Sequence, residues 1–67
     1  MDTLGRQMIK ARSKAGLSRN DVTEELEIPY RTLQYWELDK RTPPPYVIKM
    51  LFKFYEAEAA KTSDRSE

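Results

Sequence analysis

Cysteine and histidine are both absent from the 67 residues. Their absence removes disulfides, thiolate nucleophiles, the usual zinc ligand sets and the commonest general base. No enzyme activity, metal or cofactor is therefore expected. No stretch approaches the roughly 18 apolar residues of a membrane span, and Met1 to Arg6 carry no long apolar core of a targeting signal. A cytoplasmic protein without membrane contact is expected, and no pocket for a small-molecule ligand is evident. Net charge is nearly missing as well: 12 basic against 11 acidic residues leave +1. The total thus neither favours nor excludes nucleic acid, and the distribution of charge decides. A chain of this length has room for one small domain, burying about 60% of its unfolded surface.

What the sequence does contain is helical periodicity. Leu4, Met8, Ala11 and Ala15 fall on one face of a first helix expected over Thr3 to Ala15, which Gly16 is placed to end in a left-handed cap. Ser18 and Asp21 have the spacing of a short capping box for a second helix over Arg19 to Leu26, whose Val22 and Leu26 face inward. The turn at Glu27 and Ile28 lacks the usual glycine, a strain of about 1 kcal/mol. Pro29 forces Ile28 into extended backbone and suits the first position of a third helix, Pro29 to about Leu38, with Leu33 and Trp36 on its core side. No capping side chain precedes Pro29, so the first-turn amides are left to an anion such as a DNA phosphate, or to water. Two short helices joined in this way form a helix-turn-helix.

Pro43, Pro44 and Pro45 stiffen the approach to a last helix that continues through Ala60. Between Tyr46 and Tyr55 only Lys49 and Lys53 are polar, more apolar than one core contact needs. Val47, Met50, Leu51 and Phe54 share the face expected to close the core. Ile48, Phe52, Tyr55 and Ala59 share a second face, assigned to dimerisation. The expected architecture is all-α, a compact four-helix domain over residues 3–60 with a prolonged last helix. Residues 61–67, without an apolar side chain, are expected to form a disordered polar tail.

Opposite Leu33 and Trp36, the third helix presents Tyr30, Arg31, Gln34 and Tyr35. Arginine bonds the O6 and N7 of guanine and glutamine the N6 and N7 of adenine, so Arg31 and Gln34 are the first candidates for reading bases. Tyr30 is placed to touch a thymine methyl or stack on sugar, or else to pack against the second helix. Thr32 and Tyr35 suit phosphate oxygens, as do Arg6, Arg19, Lys40 and Arg41, with Lys10 a weaker candidate. Each of these cations is equally explained as ordinary surface charge. Asp21, Glu24, Glu25 and Glu27 read as a solvated acidic face.

Arg12 four residues before Gly16, the run Gly16, Leu17, Ser18, the apolar positions Val22, Leu26, Ile28, Leu33 and Trp36, Glu37, and the segment Lys40, Arg41, Thr42, Pro43 together carry a resemblance. Over Leu4 to Leu51 the chain resembles the Cro/C1-type, or XRE, helix-turn-helix family of repressors, plasmid regulators and antitoxins. The resemblance implies a lambda-repressor-like fold, double-stranded DNA as partner, and a structural ion pair of Arg12 with Glu37 between the first and third helices. Arg19 stands where that family usually has a DNA-anchoring glutamine. Thr23 replaces a small apolar residue, so its hydroxyl must bond back to its own helix, and Glu27 replaces the turn glycine. A repressor that binds an inverted repeat as a homodimer is the expected function, with affinity falling steeply with salt. The alternative is an antitoxin or adaptor-like module whose last helix binds a protein partner. A MerR-type winged domain fits less well, because here a whole helix precedes Leu17.

Overall fold

Three of the four helices end on a residue in the left-handed region, and only one of those residues is glycine. The computed structural model describes residues 2–65, folded as α1 (Leu4–Lys14), α2 (Arg19–Leu26), α3 (Tyr30–Glu37) and α4 (Pro45–Arg65). Gly16, Glu27 and Asp39 have φ of 74°, 54° and 60°. After each, the next amide donates to a carbonyl one turn back: Leu17 to Arg12 at 3.2 Å, Ile28 to Thr23 at 3.2 Å and Lys40 to Tyr35 at 2.9 Å. This closure satisfies the orphan carbonyls of a helix end.

The helix starts are more varied. Thr3 caps α1, its hydroxyl oxygen accepting from the Arg6 amide at 3.2 Å. α2 has the full capping box: Ser18 Oγ accepts from the Asp21 amide at 3.1 Å, and Asp21 Oδ2 accepts from the Ser18 amide at 2.9 Å. Thr23 donates its hydroxyl to the Asn20 carbonyl at 2.8 Å, as its place within α2 demands. Pro29 stands as the cap of α3 instead of its first residue, and no side chain bonds the amides there.

The fold is all-α, with no strand among the described residues. α1 packs against both α3 and α4, and α2 packs against α3. Each helix contributes to one core: Met8 from α1, Val22 from α2, Leu33 from α3, and Val47, Leu51 and Tyr55 from α4. Leu4, Ala11, Leu17, Leu26, Ile28 and Trp36 close around it, half-buried. No described helix is long and apolar enough to cross a membrane.

α4 departs from expectation in three ways. Tyr55, assigned to a dimer face, is only 1% exposed and belongs to the core, while Met50, assigned to the core, is 41% exposed. The buried seam is centred on Leu51, and at 3.6 residues per turn Tyr55 lies about 40° from that centre whereas Met50 lies about 100° away. The seam therefore keeps Val47 and Leu51 from the face expected to close the core, takes Tyr55 from the other and leaves Met50 out. The helix also continues to Arg65 and not only to Ala60. Glu56 to Lys61 are all strong helix formers, and Lys61 donates to Glu58 at 3.3 Å across one turn. Of the expected tail, Ser66 and Glu67 lie outside the described residues.

Burying Tyr55 leaves its hydroxyl without a hydrogen-bond partner among the described residues. Desolvation, then the nearby Glu37 carboxylate, push its pKa up to about 12, with Arg12 opposing them. Tyr55→Phe keeps the ring and removes the orphan hydroxyl, so a gain of about 1 kcal/mol is expected from the desolvation penalty no longer incurred. A urea denaturation midpoint that falls would mean that the hydroxyl is satisfied after all.

Candidate nucleic-acid interface

α3 is divided lengthwise. Leu33 is fully buried and Glu37 is 2% exposed, so these two fix the helix to the core. Arg31 is exposed, and Gln34 and Tyr35 are half-buried at the helical spacings of three and four that place them beside it. Thr32 is half-buried too. The turn of Glu27, Ile28 and Pro29 sets the angle of α3 against α2, and it is rigid because Pro29 holds φ at −57°.

Glu37 is the hub of the inner side. Arg12 reaches it with two bonds, Nε to Oε2 at 2.8 Å and Nη2 to Oε1 at 3.2 Å, and spends Nη1 on the Leu17 carbonyl at 3.0 Å. Arg19 adds a third bond, Nε to Oε1 at 2.8 Å. The Glu37 side chain has no exposure, against 13% for Arg12 and 24% for Arg19. The buried carboxylate is thus matched by two guanidiniums that still reach water.

Arg19 was expected to hold phosphate. Its Nε is committed to Glu37, its Nη1 donates to the Tyr30 hydroxyl at 3.4 Å, and its guanidinium carbon stands 5.7 Å from the centre of the Tyr30 ring. Burial alone would lower its pKa, but the bonds to Glu37 and Tyr30 outweigh this and raise it. Tyr30 is 45% exposed, so one side of its ring is held by α2 while the other is open to solvent.

Arg6, Lys40 and Arg41 belong to the two segments that meet beyond the end of α3. Asp39, two residues beyond the end of α3, accepts from the Gly5 amide at 2.9 Å and from the Thr3 hydroxyl at 2.5 Å. Those donors, the Thr3 hydroxyl first, hold its carboxyl below the ordinary value of 3.8. The contact ties the start of α1 to the end of α3, which brings Arg6, next to Gly5, towards Lys40 and Arg41, next to Asp39. All three are exposed. Lys40 and Arg41 fold back on α3, both amides donating to the Tyr35 carbonyl, at 2.9 and 3.3 Å. Lys10 is held by Asp2 at 2.5 Å.

Asp39 and Gly5 went unread because their bond spans 34 positions. The one local signal was an aspartate just beyond a helix, where a left-handed residue is common and aspartate tolerates it better than most. Elsewhere on the surface, Ala11 and Lys14 of α1 with Phe52, Glu56, Ala59 and Ala60 of α4 line a shallow groove of about 420 Å³. A second groove of about 270 Å³ runs between the acidic residues Asp21, Glu24, Glu25 and Glu58. Compared with known proteins, the chain matches no family model, no curated protein and no solved structure.

Proposed function

We propose that this chain is a sequence-specific double-stranded DNA-binding regulator, a repressor that lays α3 in the major groove. The observation that carries the reading is the division of α3, with Leu33 and Glu37 anchored in the core, Arg31 exposed, and Gln34 and Tyr35 half-buried beside it. Arg31 and Gln34 have the donors and acceptors that tell guanine and adenine from other bases. Arg6, Lys40 and Arg41 supply charge for phosphates beside them, and Tyr35 and Thr32 supply hydroxyls. The acidic groove of α2 and α4 repels a duplex, which favours approach from the Lys40 side.

Two copies on an inverted repeat complete the reading, with half-site centres about 34 to 36 Å apart. The groove between α1 and α4 supports self-association: Ala11, Ala59 and Ala60 allow close approach, and Lys14 and Glu56 give a two-fold pairing opposite charges. Ile48, Phe52 and Ala59 stay in this assignment, and Tyr55 leaves it. The same groove also suits the protein-interaction alternative, in which the last helix binds a different partner.

Selection from a randomised duplex library, followed by fluorescence anisotropy on the enriched sequence, tests the proposal. The expected result is a short inverted repeat whose preferred base opposite Arg31 loses about 1 to 3 kcal/mol of discrimination in Arg31→Ala. Ala59→Glu should abolish cooperative binding of the two half-sites while leaving single half-site binding in place. Enrichment of no sequence, with binding removed by any competitor duplex, would overturn the DNA reading in favour of the protein partner.

A further inference from the structure

We infer that Arg19 is a positioning residue for base recognition, a clamp that holds the Tyr30 ring at the leading edge of α3, and not a phosphate contact. The inference rests on the DNA-binding reading above and adds a specificity determinant to it.

The geometry is specific to a planar guanidinium. Nε of Arg19 faces Glu37 Oε1 at 2.8 Å, and Nη1 faces the Tyr30 hydroxyl at 3.4 Å. The guanidinium carbon also lies 5.7 Å from the ring centre, within the range of a cation–π attraction. One rigid fork thus bridges a fully buried carboxylate and a 45% exposed phenol ring. Lysine, a single point charge on a flexible stem, reaches one of these partners but does not orient the other.

Tyr30 and Glu37 are seven residues apart, two turns of helix, so they lie on the same side of α3 and both turn towards α2. A free tyrosine at that place would sample several rotamers and meet a base edge in each of them. Held by Arg19, it presents one ring edge in one orientation, and the ordering cost is met before DNA arrives. Its charge is partly neutralised by Glu37, which weakens Arg19 as a phosphate ligand in the same measure as it strengthens it as a clamp.

The test compares Arg19→Gln, Tyr30→Phe, Tyr30→Ala and the Arg19→Gln/Tyr30→Ala double variant by anisotropy on the selected duplex. The set includes single-base variants at the pair facing Tyr30, over a series of salt concentrations. As a clamp, Arg19→Gln lowers preference at that one base pair by about three- to fivefold, leaves the other positions alone and does not change the salt slope. The loss disappears when Tyr30 is already alanine, and Tyr30→Phe, which keeps the ring and drops the hydroxyl bond, retains part of the preference. As a phosphate contact, Arg19→Gln instead weakens all duplexes equally, cuts the salt slope by about one, and adds to the Tyr30→Ala loss. That outcome overturns the inference while the DNA reading stands. A wild-type protein that prefers no sequence overturns both. In the protein without DNA, the Arg19 Cδ protons are expected upfield of their position in Tyr30→Leu, and identical shifts in the two would also overturn the clamp.

Discussion

Glu37→Ala is expected to cost about 3 kcal/mol, the lower end of the range for breaking a buried ion pair. A chain of 67 residues has about 3 to 10 kcal/mol of stability in total, so the loss removes from about a third to nearly all of it. The cost falls at the lower end because both guanidiniums keep some exposure, 13% and 24%, and can turn to water once the carboxylate is gone. The bond pattern then ranks the three partners. Among the described residues, Oε2 of Glu37 accepts from Arg12 alone, whereas Oε1 accepts from Arg12 and Arg19. Arg12→Ala therefore strands an unexposed carboxylate oxygen, but Arg19→Ala leaves both oxygens bonded. Urea midpoints should fall most for Glu37→Ala and Arg12→Ala and least for Arg19→Ala. If Arg19→Ala were as damaging as Arg12→Ala, the two-bond contact of Arg12 would not be the principal anchor of the carboxylate.

That ranking separates two jobs that one residue type performs in this fold. Arg12 connects α1 to α3 and also bonds the Leu17 carbonyl beyond the end of its own helix, so its loss loosens three segments together. Arg19 shares the same carboxylate at little structural cost and spends its remaining reach on an exposed aromatic ring. The arginine that stability needs least is thus the one available for recognition, which is why Arg19 substitutions are suitable probes of DNA preference.

How legible each feature was in the sequence follows from the range of the interactions behind it. The whole of α2 was legible: its capping box spans three residues, Thr23 bonds back within its own helix, and Glu27 in the left-handed region follows from a helix that ends without glycine. α4 was legible as a helix but not in its rotation. Apolar residues cover so much of its circumference that periodicity alone does not pick the seam, and the choice between Met50 and Tyr55 was made by the shape of the space that α1 and α3 leave. The third bond to Glu37 was hidden for a different reason: an arginine at a helix start has the same sequence signature whether it points at solvent, phosphate or a buried acid. Asp39 was hidden by distance along the chain, since its partners are at the opposite end of α1.

Gly5 is where that long-range contact is least forgiving. It lies within α1, where alanine would ordinarily be favoured by about 1 kcal/mol. A Cβ at this position would run into the Glu37 carbonyl oxygen and come within 2.9 Å of the Asp39 carboxylate carbon and Oδ1. The first of these obstacles is backbone at the end of α3 and cannot swing aside. α1 would have to move off α3, lengthening the 2.9 Å bond from the Gly5 amide to Asp39 and shifting Met8 and Arg12 on the same helix. Gly5→Ala is therefore expected to be destabilising by about 1 to 3 kcal/mol after the propensity gain, the usual range for overpacking. In a domain of this size that lowers the thermal midpoint by roughly 4 to 24 °C, at 4 to 8 °C per kcal/mol. Adding Asp39→Ala removes only the movable obstacle, and with it the acceptor of the Gly5 amide and the Thr3 hydroxyl, so the double variant should recover nothing. Recovery would locate the conflict in the Asp39 side chain and not in the backbone of α3. A Gly5→Ala protein as stable as wild type would mean that α1 and α3 can separate without loss, and the same freedom would then extend to the segments that carry Arg6, Lys40 and Arg41.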